Sequence, residues 1–171
     1  MQHDANVRDG RPNHWAAIPG LPANAFVANE ARWLAADAGF VVFVLPGLLA
    51  GAKVSGQMIL GHTLGFFSPK NPLAFVRADL VLAALVTDLM SDAFLSLDPK
   101  NFRLTSGDVI RICGSSRRSL WTVGVRNSGK LRVVQRRGRD RTLILLGQQD
   151  LTQIGRLLTS AGFVFEADGS T

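Results

Sequence analysis

The sequence predicts an α+β chain in which β-strands dominate, on three observations. Seventeen glycines and seven prolines punctuate the 171 residues, so the chain turns often, as several short strands require and a few long helices do not. Short apolar runs separated by turn residues recur along its second half, the rhythm of an antiparallel sheet. Near the C-terminus the spacing becomes helical: Leu151, Ile154, Leu157, Leu158 and Ala161 fall on one face.

Residues 1–22 hold Gly10, Pro12, Pro19, Gly20 and Pro22 with few apolar neighbours, which predicts a flexible arm. This start is polar, of mixed charge and broken by proline, so no secretory signal is expected. The lone Cys113 excludes an intrachain disulfide framework. A cytoplasmic, reducing location is the expectation, with membrane association open. Residues 23–56 read as an N-terminal helix and an apolar segment. Asn24 is placed to cap a helix to about Ala38, because Val27, Ala31, Leu34 and Ala38 share helical spacing and Gly39 follows. Residues 38–52 are the most apolar stretch, yet shorter than the ~20 residues a spanning helix needs. A buried strand over 40–45 is expected, with a membrane-inserted segment through 40–67 as the alternative.

Residues 57–163 carry the β pattern, with strands expected near 57–66, 80–86, 93–97, 109–113, 120–126, 131–136 and 142–146. Asn127-Ser128-Gly129-Lys130 is expected to be the hairpin turn between the fifth and sixth, since asparagine and glycine tolerate positive φ. Gly138-Arg139-Asp140 marks the next turn. A helix over 149–161 follows, with Asp150 and Gln153 spaced for a capping box and Gly162 to stop it. Residues 164–171 form a tail. Alternation over 109–113 places Cys113 with Val109, as a buried, unreactive filler.

Catalytic chemistry finds little support. Gly47 to Lys53 follows an apolar strand, but a phosphate-binding loop needs glycine and a hydroxyl where Ala52 and Val54 stand. His3, His14 and His62 share no metal-ligand spacing, and no metal or other cofactor is expected. Ser115, Ser116 and Ser119 lack a nucleophile elbow or a paired histidine. Asp79, Asp88, Asp92 and Asp98 bracket candidate strands, where aspartate serves turns more often than acid–base chemistry.

Charge is the feature with functional content. Residues 1–99 carry six Lys/Arg against eight Asp/Glu, whereas residues 100–171 carry thirteen against five. Arg117, Arg118, Arg126, Lys130, Arg132, Arg136, Arg137, Arg139 and Arg141 crowd onto consecutive strands and turns. Alternation sends Leu131 and Val133 one way, and Arg132, Val134 and Arg136 the other, so one strand face is basic. Guanidinium forks match phosphate, which points to phospholipid headgroups, an acidic protein patch or a nucleic acid. For a nucleic acid the usual stacking aromatics are scarce, Trp121 being alone between Phe102 and Phe163. Arg117, Arg118, Arg126, Lys130, Arg132, Arg136, Arg137 and Arg139 are the candidate anion-binding or lipid-binding residues.

Two segments sharpen this. Leu85-Val86-Thr87-Asp88 looks like the strand-ending Val-Thr-Asp of pleckstrin-homology-like domains, and Thr105-Ser106-Gly107-Asp108-Val109-Ile110 resembles their approach to a strand. With seven strands and a closing amphipathic helix in that order, residues 57–163 resemble the bacterial pleckstrin-homology and GRAM domains. The resemblance implies a bent seven-stranded antiparallel sheet closed by the C-terminal helix. It also implies lipid or protein binding in place of catalysis, and it transfers no individual binding residue. The expectation is a non-enzymatic module contacting an anionic membrane surface or an acidic protein, with a nucleic-acid-binding domain, a membrane-inserted protein or a small enzyme as alternatives.

Overall fold

The computed structural model describes residues 22–30, 39–54, 87–117 and 127–168. Over its described part, the helix expected from Asn24 to about Ala38 is instead strand β1 (Ala25–Glu30), in which Ala25, Phe26, Val27 and Ala28 are fully buried; residues 31–38 lie outside the described residues. A strand buried on both faces shows no alternation, so its apolar run fits either period. Pairing with a strand on each flank decides the outcome. The apolar stretch becomes β2 (Gly39–Leu45) and β3 (Leu48–Lys53), a hairpin about Pro46-Gly47. Proline presets the first central residue of that turn, and glycine supplies the left-handed second at φ 70.

The expected strand at 93–97 is a short helix, α1 (Asp92–Ser96). Its start is fixed locally, because the Ser91 hydroxyl caps Phe94 N at 3.4 Å and only Phe94 of the helix is buried. Then follow β4 (Phe102–Thr105), β5 (Val109–Ser115), β6 (Asn127–Gln135), β7 (Arg141–Leu146), α2 (Leu151–Ser160) and β8 (Phe165–Ala167). Three of these, β5, β6 and β7, meet the strands expected at 109–113, 131–136 and 142–146. The strands expected at 57–66, 80–86 and 120–126, the arm at 1–21 and the segment 55–67 of the membrane alternative lie outside the described residues.

The strands form one eight-stranded sheet in the order β4-β3-β2-β1-β7-β6-β5-β8. Every described pairing is antiparallel except β5 with β8. The expected seven-stranded antiparallel sheet is thus a mixed one, and residues 25–53, expected beside it, are part of it. Five strands separate β4 from β5 in the sheet, yet only Ser106-Gly107-Asp108 joins them in the chain. That link reaches about 14 Å at most, so the sheet must curl until its two ends approach. The inner core shows the same curl: Leu49 and Leu104 from one end share a cluster with Val109 and Ile112 from the other, and with Ile154 and Leu158 of α2 and its C-cap Ala161. A second cluster on the opposite face of β1–β3 contains Val27, Val41, Phe43, Ala50 and Phe94.

Helix α2 starts as its sequence predicts, with the Asp150 carboxylate accepting from Thr152 N at 2.8 Å and Gln153 N at 3.3 Å. Where β7 ends at Leu146, the buried Gln149 side chain extends its ladder: Oε1 accepts from Val27 N, and Nε2 donates to the carbonyls of Val27 and Leu146.

Two local expectations need correction. Asn127 to Lys130 do not turn a hairpin but open β6, with an irregular register against β7. Gly129 does take positive φ, 125°, but uses it where β5 passes so close that a Cβ would sit 2.1 Å from Ser115 O. Cys113 is not buried beside Val109: a bulge sets both Ile110 and Arg111 opposite Val134, exposing both. The bulge reverses the alternation, so Val109 and Ile112 face the core and Cys113 faces outward, half-buried.

Candidate functional site

The β6–β7 turn gathers charge because of how β6 alternates. Leu131 and Val133 enter the core, which leaves Lys130 and Arg132 exposed on the outer face before the strand runs into Arg136, Arg137, Gly138 and Arg139. The turn is held from within. Asp140 Oδ1 accepts from Gln135 N at 3.2 Å, and Gln135 Nε2 donates to Arg139 O at 2.5 Å. It is also held from outside, since Arg136 N donates to Asp108 O at 2.8 Å in the β4–β5 turn. That turn in its own right bonds the β2–β3 turn through Ser106 N to Gly47 O at 2.9 Å. Three turns therefore meet at one corner of the molecule, and the three arginines stand on it.

Two carboxylates lie among these cations. Asp108 accepts from Thr105 Oγ1 at 2.6 Å and from Thr105 N at 2.8 Å. The Thr105 hydroxyl and amide, with a smaller contribution from Arg137, hold its carboxyl below the usual aspartate value. Asp140 grips Arg132, with Nη2 at 2.8 Å and Nε at 3.2 Å. That guanidinium first, then the Gln135 amide and the more distant charge of Arg111, lower its pKa. Both acids stay ionised at neutral pH, so they offset part of the basic field without cancelling it.

The six candidate residues that are described do not form one patch. Arg136, Arg137 and Arg139 are together and exposed, and neither Arg136 nor Arg139 makes an ion pair among the described residues. Arg132 is committed to Asp140. Arg117 follows the far end of β5, a strand of seven residues, and so stands about 20 Å from the turn at ~3.3 Å per residue. Lys130 pairs with Ser115 in register and lies towards that same far end. Arg118 and Arg126 lie outside the described residues. Arg141 points inward, 2.9 Å from Glu30 and 4.2 Å over the Phe102 ring, and takes no part in the surface. The sequence reading missed Arg111, which the bulge turns outward to within 3.7 Å of Glu166.

No family model, curated protein or solved structure matches this chain.

The acids considered for catalysis serve turns and ion pairs. Asp88 Oδ1 accepts from Met90 N, Asp92 pairs with Arg103, and Asp98 takes both Lys100 N and Lys53 Nζ. Asp79 lies outside the described residues. The loop considered for phosphate is the β2–β3 hairpin itself. Among the described residues, no group of three or more His, Cys, Asp or Glu could hold a metal, and no helix is long and apolar enough to cross a membrane. A shallow groove of about 420 Å³ runs between α2 and β8, past Leu151, Gly155, Arg156, Thr159, Phe165 and Ala167. It offers one cation and hydroxyls but no acid–base pair.

Proposed function

We propose that this chain is a non-enzymatic, pleckstrin-homology-like binding module whose β6–β7 turn contacts an anionic surface. The observation that carries the reading is the exposure of Arg136, Arg137 and Arg139 on one turn, braced by the Asp140 carboxylate accepting from Gln135 N and by Arg136 N donating to Asp108 O. A braced turn presents its guanidinium forks with less conformational entropy left to lose on binding. Two features support the fold half of the reading. Among the described residues seven strands precede α2, and their order β4-β3-β2-β1-β7-β6-β5 is two antiparallel meanders joined through β1 and β7. Helix α2 packs its apolar face into the concave core. The parallel strand β8 is an addition to that scheme.

The test is co-sedimentation with phosphatidylcholine vesicles, with and without phosphatidylglycerol. Binding is expected only to the anionic vesicles. Each basic residue near such a surface contributes about 1 kcal/mol, so Arg136→Ser, Arg137→Ser and Arg139→Ser together should lower the affinity by roughly two decades. Steep salt-dependent binding to duplex or single-stranded nucleic acid, with none to vesicles, would replace this reading by the nucleic-acid one.

A further inference from the structure

Two exposed apolar side chains flank the basic turn, and neither has a role in the fold. Ile110 is 44% exposed and Val164 57% exposed. Ile110 is turned out by the β5 bulge, which places it and Arg111 on the outer side together. Val164 is brought beside it by β8. The parallel register sets Ile112 against Phe165, so one step earlier Arg111 lies against Val164, and the Val164 carbonyl accepts from Ile112 N at 2.8 Å. Phe165 turns inward to the core, and its neighbours Val164 and Glu166 therefore face out with Ile110 and Cys113. The basic turn is adjacent, since Gln135 pairs with Val109 and Arg136 N is bonded to Asp108 O. Among the described residues the other exposed large apolar side chains, Met90 and Leu97, flank α1 instead.

We propose that Ile110 and Val164 insert into the lipid interface while Arg136, Arg137 and Arg139 engage anionic headgroups, which makes the partner a phospholipid bilayer. The inference rests on the β6–β7 turn being an anion contact and specifies what the anion belongs to. Charge complementarity selects the surface, and the apolar pair favours lipid: among the described residues no aromatic side chain is exposed to stack on a base, whereas two aliphatic side chains beside cations match acyl chains beneath anionic headgroups. Side chains that are half exposed gain about half of the full burial energy on insertion, so each should strengthen binding roughly fivefold.

The experiment compares wild type, Ile110→Ser with Val164→Ser, and the triple arginine variant on phosphatidylglycerol-containing vesicles over a range of salt. Removing the apolar pair should weaken binding roughly twentyfold at every salt concentration with an unchanged salt slope, whereas removing the arginines should flatten the slope. Thermal midpoints of both variants should match wild type, because all five positions are exposed. A second readout places an environment-sensitive fluorophore at Ile110→Cys in a Cys113→Ser background. Its emission should shift to the blue on vesicle addition. Vesicle binding that depends on the arginines, with no effect of the serine pair and no emission shift, would overturn the insertion and leave the proposed function standing. Absence of vesicle binding by wild type would overturn both.

Discussion

Phe165 occupies a slot that two glycines leave open. A Cβ on Gly155 of α2 would stand 2.4 Å from its ring, and one on Gly114 of β5 would stand 2.7 Å from it. Glycine inside a helix ordinarily costs about 1 kcal/mol relative to alanine, so Gly155→Ala would be expected to stabilise an unencumbered helix. Here the ring must move. Gly155→Ala is expected to destabilise by about 1 to 3 kcal/mol, the usual cost of overpacking, and Phe165→Leu in the same chain should recover part of the loss. Urea midpoints of the two single variants and the double variant check this. Gln149 makes a second residue-scale case, because its amide satisfies both the N–H and the carbonyl of buried Val27. Gln149→Leu keeps the volume but removes the partner of both Val27 groups and of the Leu146 carbonyl, for an expected loss of about 2 to 4 kcal/mol, read from the same transition.

Among the elements, α2 and β6 show where sequence pattern and structure agree and why. Each has one face in the core and one in solvent, so the apolar period survives in the sequence: Ile154 and Leu158 are buried, as are Leu131 and Val133. Leu158→Asp would leave an unpaired charge inside the concave core and should cost several kcal/mol, enough to abolish a cooperative thermal transition. Strands β1 to β3 erase the same signal, since both of their faces are covered, so the spacing of apolar residues in β1 reads equally well as a helix. In β5 the period is present but interrupted. One extra residue at Ile110/Arg111 carries Cys113 from the core face to the outer face, and nothing in a single sequence marks that position. The thiol is consequently expected to react in the folded protein with a small reagent at a rate well above that of a buried cysteine, which a labelling time course measures. The β6–β7 turn adds a pH dependence. Asp140 has its pKa lowered in the folded state, so the stability it contributes is present above the unfolded aspartate value near ~3.9 and lost as pH falls through its folded value. Asp140→Asn should therefore slightly lower stability at neutral pH, with the difference from wild type closing as pH falls below about 4, which urea midpoints across that range measure.

For the whole molecule, the charge asymmetry was readable from composition, but its concentration on one corner was not. Which arginines stay available depends on partners distant in the chain. Glu30 claims Arg141 across the β1–β7 pairing, and Glu166 meets Arg111 only because β8 returns to the β5 edge. Those contacts divide an apparently continuous run of basic residues into inward, paired and open members. The strand order was equally hidden, since no local signal in residues 25–30 announces a partner at residues 143–145.

That last pairing bears on how the chain acquires its shape. Strands β1 to β3 and strands β5 to β7 are each assembled largely from neighbours in sequence, whereas Ala28 must find Leu145 across most of the chain. Closing so long a loop is entropically costly before any contact rewards it. The seam between the two meanders is therefore expected to form after the rate-limiting step. Leu145→Ala should speed unfolding while leaving the refolding limb of a chevron plot almost unmoved, and Leu131→Ala, within the local β5–β7 meander, should slow refolding.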